Sequence, residues 1–361
     1  MHVVLVAPNL RVGGAERSML RYAACLQRAG HSVSLVLLEN RIELPVPADI
    51  AVHSLATRGP RGTTGKIVAG IRLARKLKAL SSVEPIDLTI STLPLADEVA
   101  LRASAPNLWL RVANTLSAEI ASIGSSKHKR ERRLKRYIRM YGENRCIAVS
   151  ESVRRDLIDF FGLAPNKAVT IYNPIPIEEI QALSKMMDSR IPEQPFVLHA
   201  ARFAPQKRID VLLDAMRRVD PEVRVVLLTD NPAAVTRIVL EYAQQDRSLV
   251  LPLQDNPFVW FRRAKAVVLS SDREGMPNVL AEALAVGTPV VSTDCPSGPR
   301  ELLTGDLARW LSPCGDAAAL ARNVTAVLAS PPVIPTGVLD RFSEKSFIAS
   351  MITLAMQRDA R

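Results

Sequence analysis

Residues 271–294 read SDREGMPNVLAE (Ser271–Glu282) and then ALAVGTPVVSTD (Ala283–Asp294). They follow an apolar run, Ala266–Ser270, of the kind that forms a strand buried on both faces. The polar turn after that strand carries Gly275. Pro277 then suits the first position of a helix, because its missing N–H would have no intrahelical partner there. A helix over Val279–Val286 and a second apolar run, Pro289–Ser292, complete a strand–helix–strand unit. The helix start expected at Gly275–Asn278 offers free N–H groups and the positive end of the helix dipole to an anion. Glu274 stands before that start and Glu282 within two turns after it. Ionised carboxylates accept strongly from vicinal hydroxyls, so the arrangement suits a ligand with hydroxyl groups on either side of a diphosphate. Taken alone, two glutamates eight apart are more often a helix cap and a solvated surface charge.

The same alternation extends in both directions. Val3–Ala7, Val33–Leu38, Leu88–Ser91, Leu108–Val112 and Cys146–Ser150 read as strands in the first half. In the second half Phe196–Ala200, Val223–Thr229, Leu249–Leu251, Ala266–Ser270 and Pro289–Ser292 do so. Helical periodicity is clearest over Arg17–Ala29, Lys66–Leu80, Ser152–Phe160, Ile209–Val219 and Val279–Val286. Prolines interrupt the pattern at Tyr172–Pro176 and Ile191–Pro195, which sets an interdomain linker around residues 173–194. The expected architecture is α/β, with two Rossmann-like doubly wound domains, residues 1–175 and 176–335, and a C-terminal helical segment, 336–361. Two such domains facing one another would form a ligand crevice at the carboxyl ends of their strands.

Composition narrows the class of protein. Half-apolar content with moderate charge, over 361 residues, describes two globular domains. Cys25, Cys146, Cys295 and Cys314 are scattered without metal-ligand spacing, which fits buried small hydrophobes in a reducing cytoplasm. The opening strand runs straight into a glycine-containing turn without a cleavage site, and no apolar run is long enough to span a bilayer. Any membrane association is therefore expected to be peripheral. Positive charge is concentrated in front: 26 Lys and Arg against 16 Asp and Glu through residue 180, but 21 against 20 thereafter. A basic half beside a neutral half points to a phosphate-bearing substrate, a polyanion or an acidic membrane face.

Two further stretches join the first. Strand Phe196–Ala200 leads into Ala201-Arg202-Phe203-Ala204-Pro205-Gln206-Lys207-Arg208, where two cations at a strand mouth can neutralise a departing diphosphate. Strand Val3–Ala7 leads into Asn9–Arg17, in which Gly13 and Gly14 let the backbone approach a ligand beside another helix start. Glu274-Gly275-Met276-Pro277, Glu282, and Gly287–Thr293 in this order resemble the signature of the retaining, metal-independent glycosyltransferases of family 4, which have the GT-B fold. The resemblance runs from Val3 to about Leu303. It implies an acceptor-binding first domain and a donor-binding second domain. Arg202 and Lys207 match the positions that bind the donor diphosphate, Glu274 a sugar hydroxyl and Glu282 the ribose. Catalytic candidates are thus Arg202, Lys207 and Glu274. The donor site would add Gly13, Gly14, Gly275, Met276, Pro277, Asn278 and Glu282. Ala201 stands where the family often has glycine, and Ala113 where a histidine is frequent, so that histidine's role is not carried over. Cys295–Leu303 is similar to bacterial members that extend lipid-linked oligosaccharides or surface polysaccharides with UDP-linked hexoses or N-acetylhexosamines. In the similar stretch Leu110–Ser117, Arg111 and Asn114 are candidates for acceptor contact.

The segment Lys127–Arg139 carries eight Lys or Arg and one acid. Leu134, Tyr137, Ile138 and Tyr141 form one helical stripe in it, leaving the other faces basic. A second helix pairs the stripe Ile67, Ile71, Ala74 and Leu77 with Arg72, Arg75, Lys76 and Lys78. A solvated basic face and nucleic-acid binding are alternatives, but no recognisable nucleic-acid module accompanies the charge. The favoured partner is an anionic membrane surface or a diphosphate-linked lipid acceptor, met by Lys129, Arg132, Arg133 and Arg136. The expected function is retaining sugar transfer from a nucleotide diphosphate to a glycan or polyprenyl-diphosphate-linked glycan at the cytoplasmic membrane face. No cofactor or metal is expected, because Asp272-Arg273-Glu274 does not form a DxD motif. A GT-B nucleotide-sugar epimerase and a non-enzymatic adaptor on the same scaffold are the alternatives.

Overall fold

The structure is a computed structural model and describes residues 1–11, 13–124 and 126–357. The chain divides into two compact units. The first comprises Met1–Pro174 together with the helix that begins at Glu344. Its sheet contains β1 (His2–Ala7), β2 (Ser32–Leu37), β3 (Ala51–Ser54), β4 (Leu88–Thr92), β5 (Leu108–Val112), β6 (Cys146–Ala148) and β7 (Ala168–Thr170). All neighbours are parallel, in the order β3-β2-β1-β4-β5-β6-β7. Central β1 is buried along its whole length, and its side chains alternate between two cores. Val3, Leu5 and Ala7 pack with Met19, Tyr22 and Leu26, while Val4 and Val6 face Leu73, Leu77 and Val99. The sequence pattern omitted β3 and β7: β3 is half exposed and carries His53 and Ser54, and β7 has three residues.

The second unit is Ile175–Ser343. It holds β8 (Phe196–Ala200), β9 (Arg224–Thr229), β10 (Ser248–Pro252), β11 (Ala266–Leu269), β12 (Val290–Thr293) and β13 (Leu311–Ser312). Their order is β10-β9-β8-β11-β12-β13, again wholly parallel. Each sheet thus winds outward from its first strand and reverses once, between β1 and β4 and between β8 and β11. In such sheets the carboxyl ends of the two strands at the reversal are where ligands bind.

Two boundaries differ from the sequence reading. Residues 176–194 are not a free linker: helix Ile177–Leu183 buries Ile180, and Gln181 Nε2 donates to the Ala285 carbonyl at 3.0 Å. Nor do residues 336–361 stand apart as one segment. The Ile175 N–H donates to Phe342 O at 2.8 Å, which keeps that end in the second unit. Helix Glu344–Met356 belongs instead to the first, because Phe347, Met351 and Leu354 lie on one helical face and enter its core. The Phe347 ring lies 4.4 Å from that of Tyr22, centroid to centroid, and Glu344 pairs with Arg28. All four cysteines are free thiols, and only Cys314 is exposed. No described helix is long and apolar enough to cross a membrane.

Candidate active site

At the reversal of the second sheet, the loops leaving β8 and β11 are tied to each other. After β8 the chain makes a single 3-10 turn, Pro205–Lys207, and Arg208 adopts a left-handed conformation (φ +47°) before helix Ile209–Met216. The Asp272 N–H donates to Gln206 O at 2.9 Å, and Ser270 Oγ to Lys207 O at 2.8 Å. Lys207 Nζ then donates to Glu274 Oε1 at 2.6 Å, with side chains only 16% and 9% exposed. Arg208 is engaged elsewhere: its guanidinium binds Asp210 at 2.9 Å and Asp272 at 3.1 Å. The Asp210 hydrogen bonds, with lesser help from Asp272, raise its pKa further and fix it as a permanent structural cation. Arg202 is exposed just beyond β8.

A third loop, leaving β12, supports the β11 loop from below. Thr293 Oγ1 donates to Ser271 O at 2.5 Å and Ser297 Oγ to Glu274 O at 2.6 Å. Gly298 (φ +91°) lies against Pro277 so closely that a Cβ would overlap the proline ring and stand 3.0 Å from Gly275 O. Glu274, Gly275, Met276 and Pro277 are consequently buried, and Asn278 is half-buried. Helix Asn278–Ala285 begins within the expected start region, with Pro277 as its cap rather than its first residue. Glu282, one turn in, is also buried. The structure therefore gathers Lys207, Glu274 and the Asn278 helix start at one sheet reversal, with Glu282 in that same helix.

Sequence reasoning missed His199, Ser271, Ser297 and Gly298 as parts of this site. His199 lies in β8, where an isolated histidine reads as core, and its Nδ1 is 3.0 Å from the Val268 carbonyl of neighbouring β11. Burial pushes its pKa down to about 4, so the ring is neutral at pH 7. Its Nε2 and the Ser271 hydroxyl are buried without a hydrogen-bond partner among the described residues. The signal for Gly298 was available: a glycine between serine and proline in Ser297-Gly298-Pro299 marks a tight turn.

The first-unit candidates separate into surface and interior. Gly13 caps helix Gly14–Arg28 in an extended conformation, and Val12 beside it lies outside the described residues. A Cβ on Gly14 would meet nothing, and one on Gly13 only the flexible Glu16 side chain. The protein's own packing thus requires neither glycine. Arg111, expected to contact acceptor or membrane, is instead buried. It donates to Thr92 Oγ1 at 3.1 Å and Asn173 Oδ1 at 2.7 Å, and its guanidinium lies 5.0 Å from the centre of the Tyr22 ring. Asn114 Oδ1 accepts from the Thr115 N–H at 3.0 Å. Near Arg111, the fully buried Asp97 accepts from Ser91 Oγ at 2.6 Å and Tyr141 Oη at 2.7 Å. Desolvation pushes its pKa up to about 7 against those hydrogen bonds.

The basic helix Lys127–Tyr141 exposes Lys129 and Arg132. Arg133 and Arg136 are half-buried and paired: Arg133 binds Glu119 at 2.7 Å, and Arg136 binds Glu98 at 2.8 Å. The apolar stripe is also rotated from expectation. Met140 joins Tyr137 and Tyr141 in the core while Ile138 is exposed, because Tyr141 is drawn toward Asp97.

Residues 12–179 match the family model described as Glycosyltransferase Family 4, and residues 194–330 that described as Glycosyl transferases group 1. One curated relative is the N-acetylgalactosamine-N,N'-diacetylbacillosaminyl-diphospho-undecaprenol 4-alpha-N-acetylgalactosaminyltransferase of Campylobacter jejuni. It is 29% identical over 153 residues, 42% of this chain and 41% of that protein. Another, the lipopolysaccharide 1,6-galactosyltransferase of Escherichia coli, is 27% identical over 48% of this chain and 49% of its own length. The chain therefore spans about half the length, or less, of these relatives. Among solved structures, Anabaena HepE in complex with UDP and glucose superposes with a TM-score of 0.73 at 18% identity, over 98% of this chain and 99% of that one. Sucrose-phosphate synthase from Thermosynechococcus elongatus gives 0.78 at 18% identity, over 99% and 98%. At that identity the likeness is one of fold.

Proposed function

Since the chain belongs to the GT-B glycosyltransferases, with a family 4 domain ahead of a group 1 domain, we propose that it moves a sugar from a UDP-linked hexose or N-acetylhexosamine to a hydroxyl of a glycan acceptor. The acceptor class is a glycan or a polyprenyl-diphosphate-linked glycan, presented at the cytoplasmic membrane face, and the anomeric configuration is retained. The relatives named for diphospho-undecaprenol and lipopolysaccharide substrates support the acceptor class. The observation that carries the donor assignment is the shielded Lys207–Glu274 pair at the sheet reversal, beside the helix that contains Glu282.

The roles follow from charge and reach. A diphosphate arriving at the Asn278 helix start meets N–H groups, the helix dipole and Lys207, and the exposed Arg202 can fold onto it. As Lys207 turns to the phosphate, Glu274 is released to accept from hydroxyls of the donor sugar. Glu282 accepts from the vicinal ribose hydroxyls. The open space beside the exposed Gly14 gives the first unit a backbone edge that a ligand can approach. In the transfer itself, the bond from the anomeric carbon to the diphosphate oxygen breaks. The acceptor oxygen bonds to that carbon on the same face, and its proton passes to the leaving diphosphate oxygen. Lys207, Arg202 and the helix start stabilise the charge that builds on that oxygen. Neutral, buried His199 adds no cation to the site.

The test is UDP release across a panel of UDP-sugars, with and without lipid-linked acceptors, for the wild type, Lys207→Ala and Glu282→Ala. Acceptor-dependent release, with donor affinity reduced by at least about tenfold in Glu282→Ala, is the expected outcome, and an axial-to-axial product by NMR would establish retention. Unchanged donor affinity in Glu282→Ala would remove that residue from the site. Conversion of the donor sugar without any acceptor would favour epimerisation.

A further inference from the structure

Helix Gly62–Ser81 carries Lys66, Arg72, Arg75, Lys76 and Lys78 and no acid. The sequence pattern grouped Ile67 and Ile71 with Ala74 and Leu77 in one stripe, but the helix is rotated so that this stripe is divided. Ala69, Gly70, Leu73 and Leu77 point inward, whereas Ile67, Val68 and Ile71 are 45%, 41% and 50% exposed. The rotation has a local cause: Gly70 lets the neighbouring helix Pro94–Arg102 come so near that a Cβ there would stand 3.0 Å from Arg102 Cβ. Residues 67, 68, 71, 72 and 75 therefore share one outward face, aliphatic toward its N-terminal end and cationic toward its C-terminal end. A groove of about 510 Å³ runs beside it, lined by Ile67, Gly70, Ile71, Ala74, Arg75 and Arg102.

The face is held rigidly. Glu98 receives Lys66 at 2.9 Å, Arg102 at 3.3 Å and Arg136 at 2.8 Å, joining three helices at one carboxylate. Three neighbouring large aliphatics in water are a docking signal rather than a scatter of single exposed residues. An all-cationic border selects an anionic partner, and aliphatics among cations on a helix lying flat suit a lipid interface.

We propose that this face docks on an anionic phospholipid bilayer. Ile67, Val68 and Ile71 enter between the headgroups, Arg72 and Arg75 meet lipid phosphates, and the groove takes one hydrocarbon chain. The proposal rests on the membrane-side reading above and moves its principal contact from helix Lys127–Tyr141 to helix Gly62–Ser81.

The experiment is flotation of the full chain with phosphatidylcholine vesicles, with and without phosphatidylglycerol. It compares the wild type, Ile71→Asp, Ile71→Trp and the double variant Lys129→Gln/Arg132→Gln, with UDP affinity as the control for folding. Wild type is expected to float with the anionic vesicles only. Ile71→Asp should bind at least about tenfold more weakly, with UDP affinity unchanged. Ile71→Trp should bind as well or better, and its added fluorescence should shift to the blue on the vesicles as the indole leaves water. If wild type floats but Ile71→Asp floats equally and the added indole stays in water, insertion through this face is wrong while membrane attachment stands. Loss of flotation only in the double variant would overturn it in the same way. If wild type does not float at all, as a protein-binding face would predict, the membrane-side reading falls too, and the donor assignment is untouched.

Discussion

Gly298 offers a quantitative test of how the donor loop is held. Its backbone (φ +91°, ψ −61°) lies outside the regions open to L-residues, and its α-carbon abuts Pro277 and Gly275 O. Gly298→Ala therefore combines a backbone penalty of about 1–2 kcal/mol with an overpacking penalty of about 1–3 kcal/mol. The internal comparison is Gly287, which ends helix Asn278–Ala285 at φ +82° and where an added methyl would have nothing within 4 Å. Gly287→Ala meets only the backbone penalty, about 1 kcal/mol. For a unit of this size 1 kcal/mol moves Tm by roughly 2–4 °C. Gly298→Ala should thus melt about 4–20 °C below wild type, and Gly287→Ala only a few degrees below. Because the new methyl also pushes Pro277 and Gly275 at the helix start, UDP affinity measured by calorimetry on folded protein should fall at least about tenfold for Gly298→Ala. It should hold for Gly287→Ala. Equal melting shifts, or full UDP affinity in folded Gly298→Ala, would refute the claim that the β12 loop positions the donor site.

Other outcomes follow from the two cores. Phe347→Ala should destabilise the first unit by about 3–5 kcal/mol, and limited proteolysis should then cut within residues 1–174 before 175–343. Arg111→Met should lose about 3 kcal/mol of stability by breaking the buried contacts to Thr92 and Asn173, yet leave flotation on anionic vesicles unchanged. Asp97 has a folded pKa of about 7, raised by burial far above the ordinary carboxylate range. An acid of this kind binds its proton more tightly when folded, so its contribution is full below about pH 4 and is lost as pH rises toward 7. Asp97→Asn should flatten the decline in the urea midpoint across that window; an unchanged slope would assign the decline to other groups.

Much of this architecture was legible because buried parallel strands are continuous apolar runs, and β1, β8 and β11 are of that type. Short or half-exposed β3, β7 and β13 lack such a run, and pairing rather than composition makes them strands. Lys207 and Glu274 could be assigned to a common site because each follows a strand end. That they touch, and that Arg208 beside them is bound to Asp272, depends on contacts across 64 or more residues of sequence. Helix faces were the weakest inference. In Gly62–Ser81 and Lys127–Tyr141 several cations and aliphatics permit more than one amphipathic phase, and Gly70 against Arg102 and Tyr141 on Asp97 select the one adopted. The C-terminal helix could not be assigned by pattern, since nothing local in Glu344–Met356 indicates which core receives Phe347.

That helix also fixes an order of events during synthesis. The first unit is discontinuous, with the second inserted between Pro174 and Glu344. When residues 1–174 leave the ribosome they have every strand of their sheet but lack Phe347, Met351 and Leu354, so Tyr22 and its neighbours are uncovered. The second unit, whose elements are continuous from Ile175 to Ser343, can complete its core first. The N-terminal half of this protein is therefore the earlier to be translated and the later to be finished.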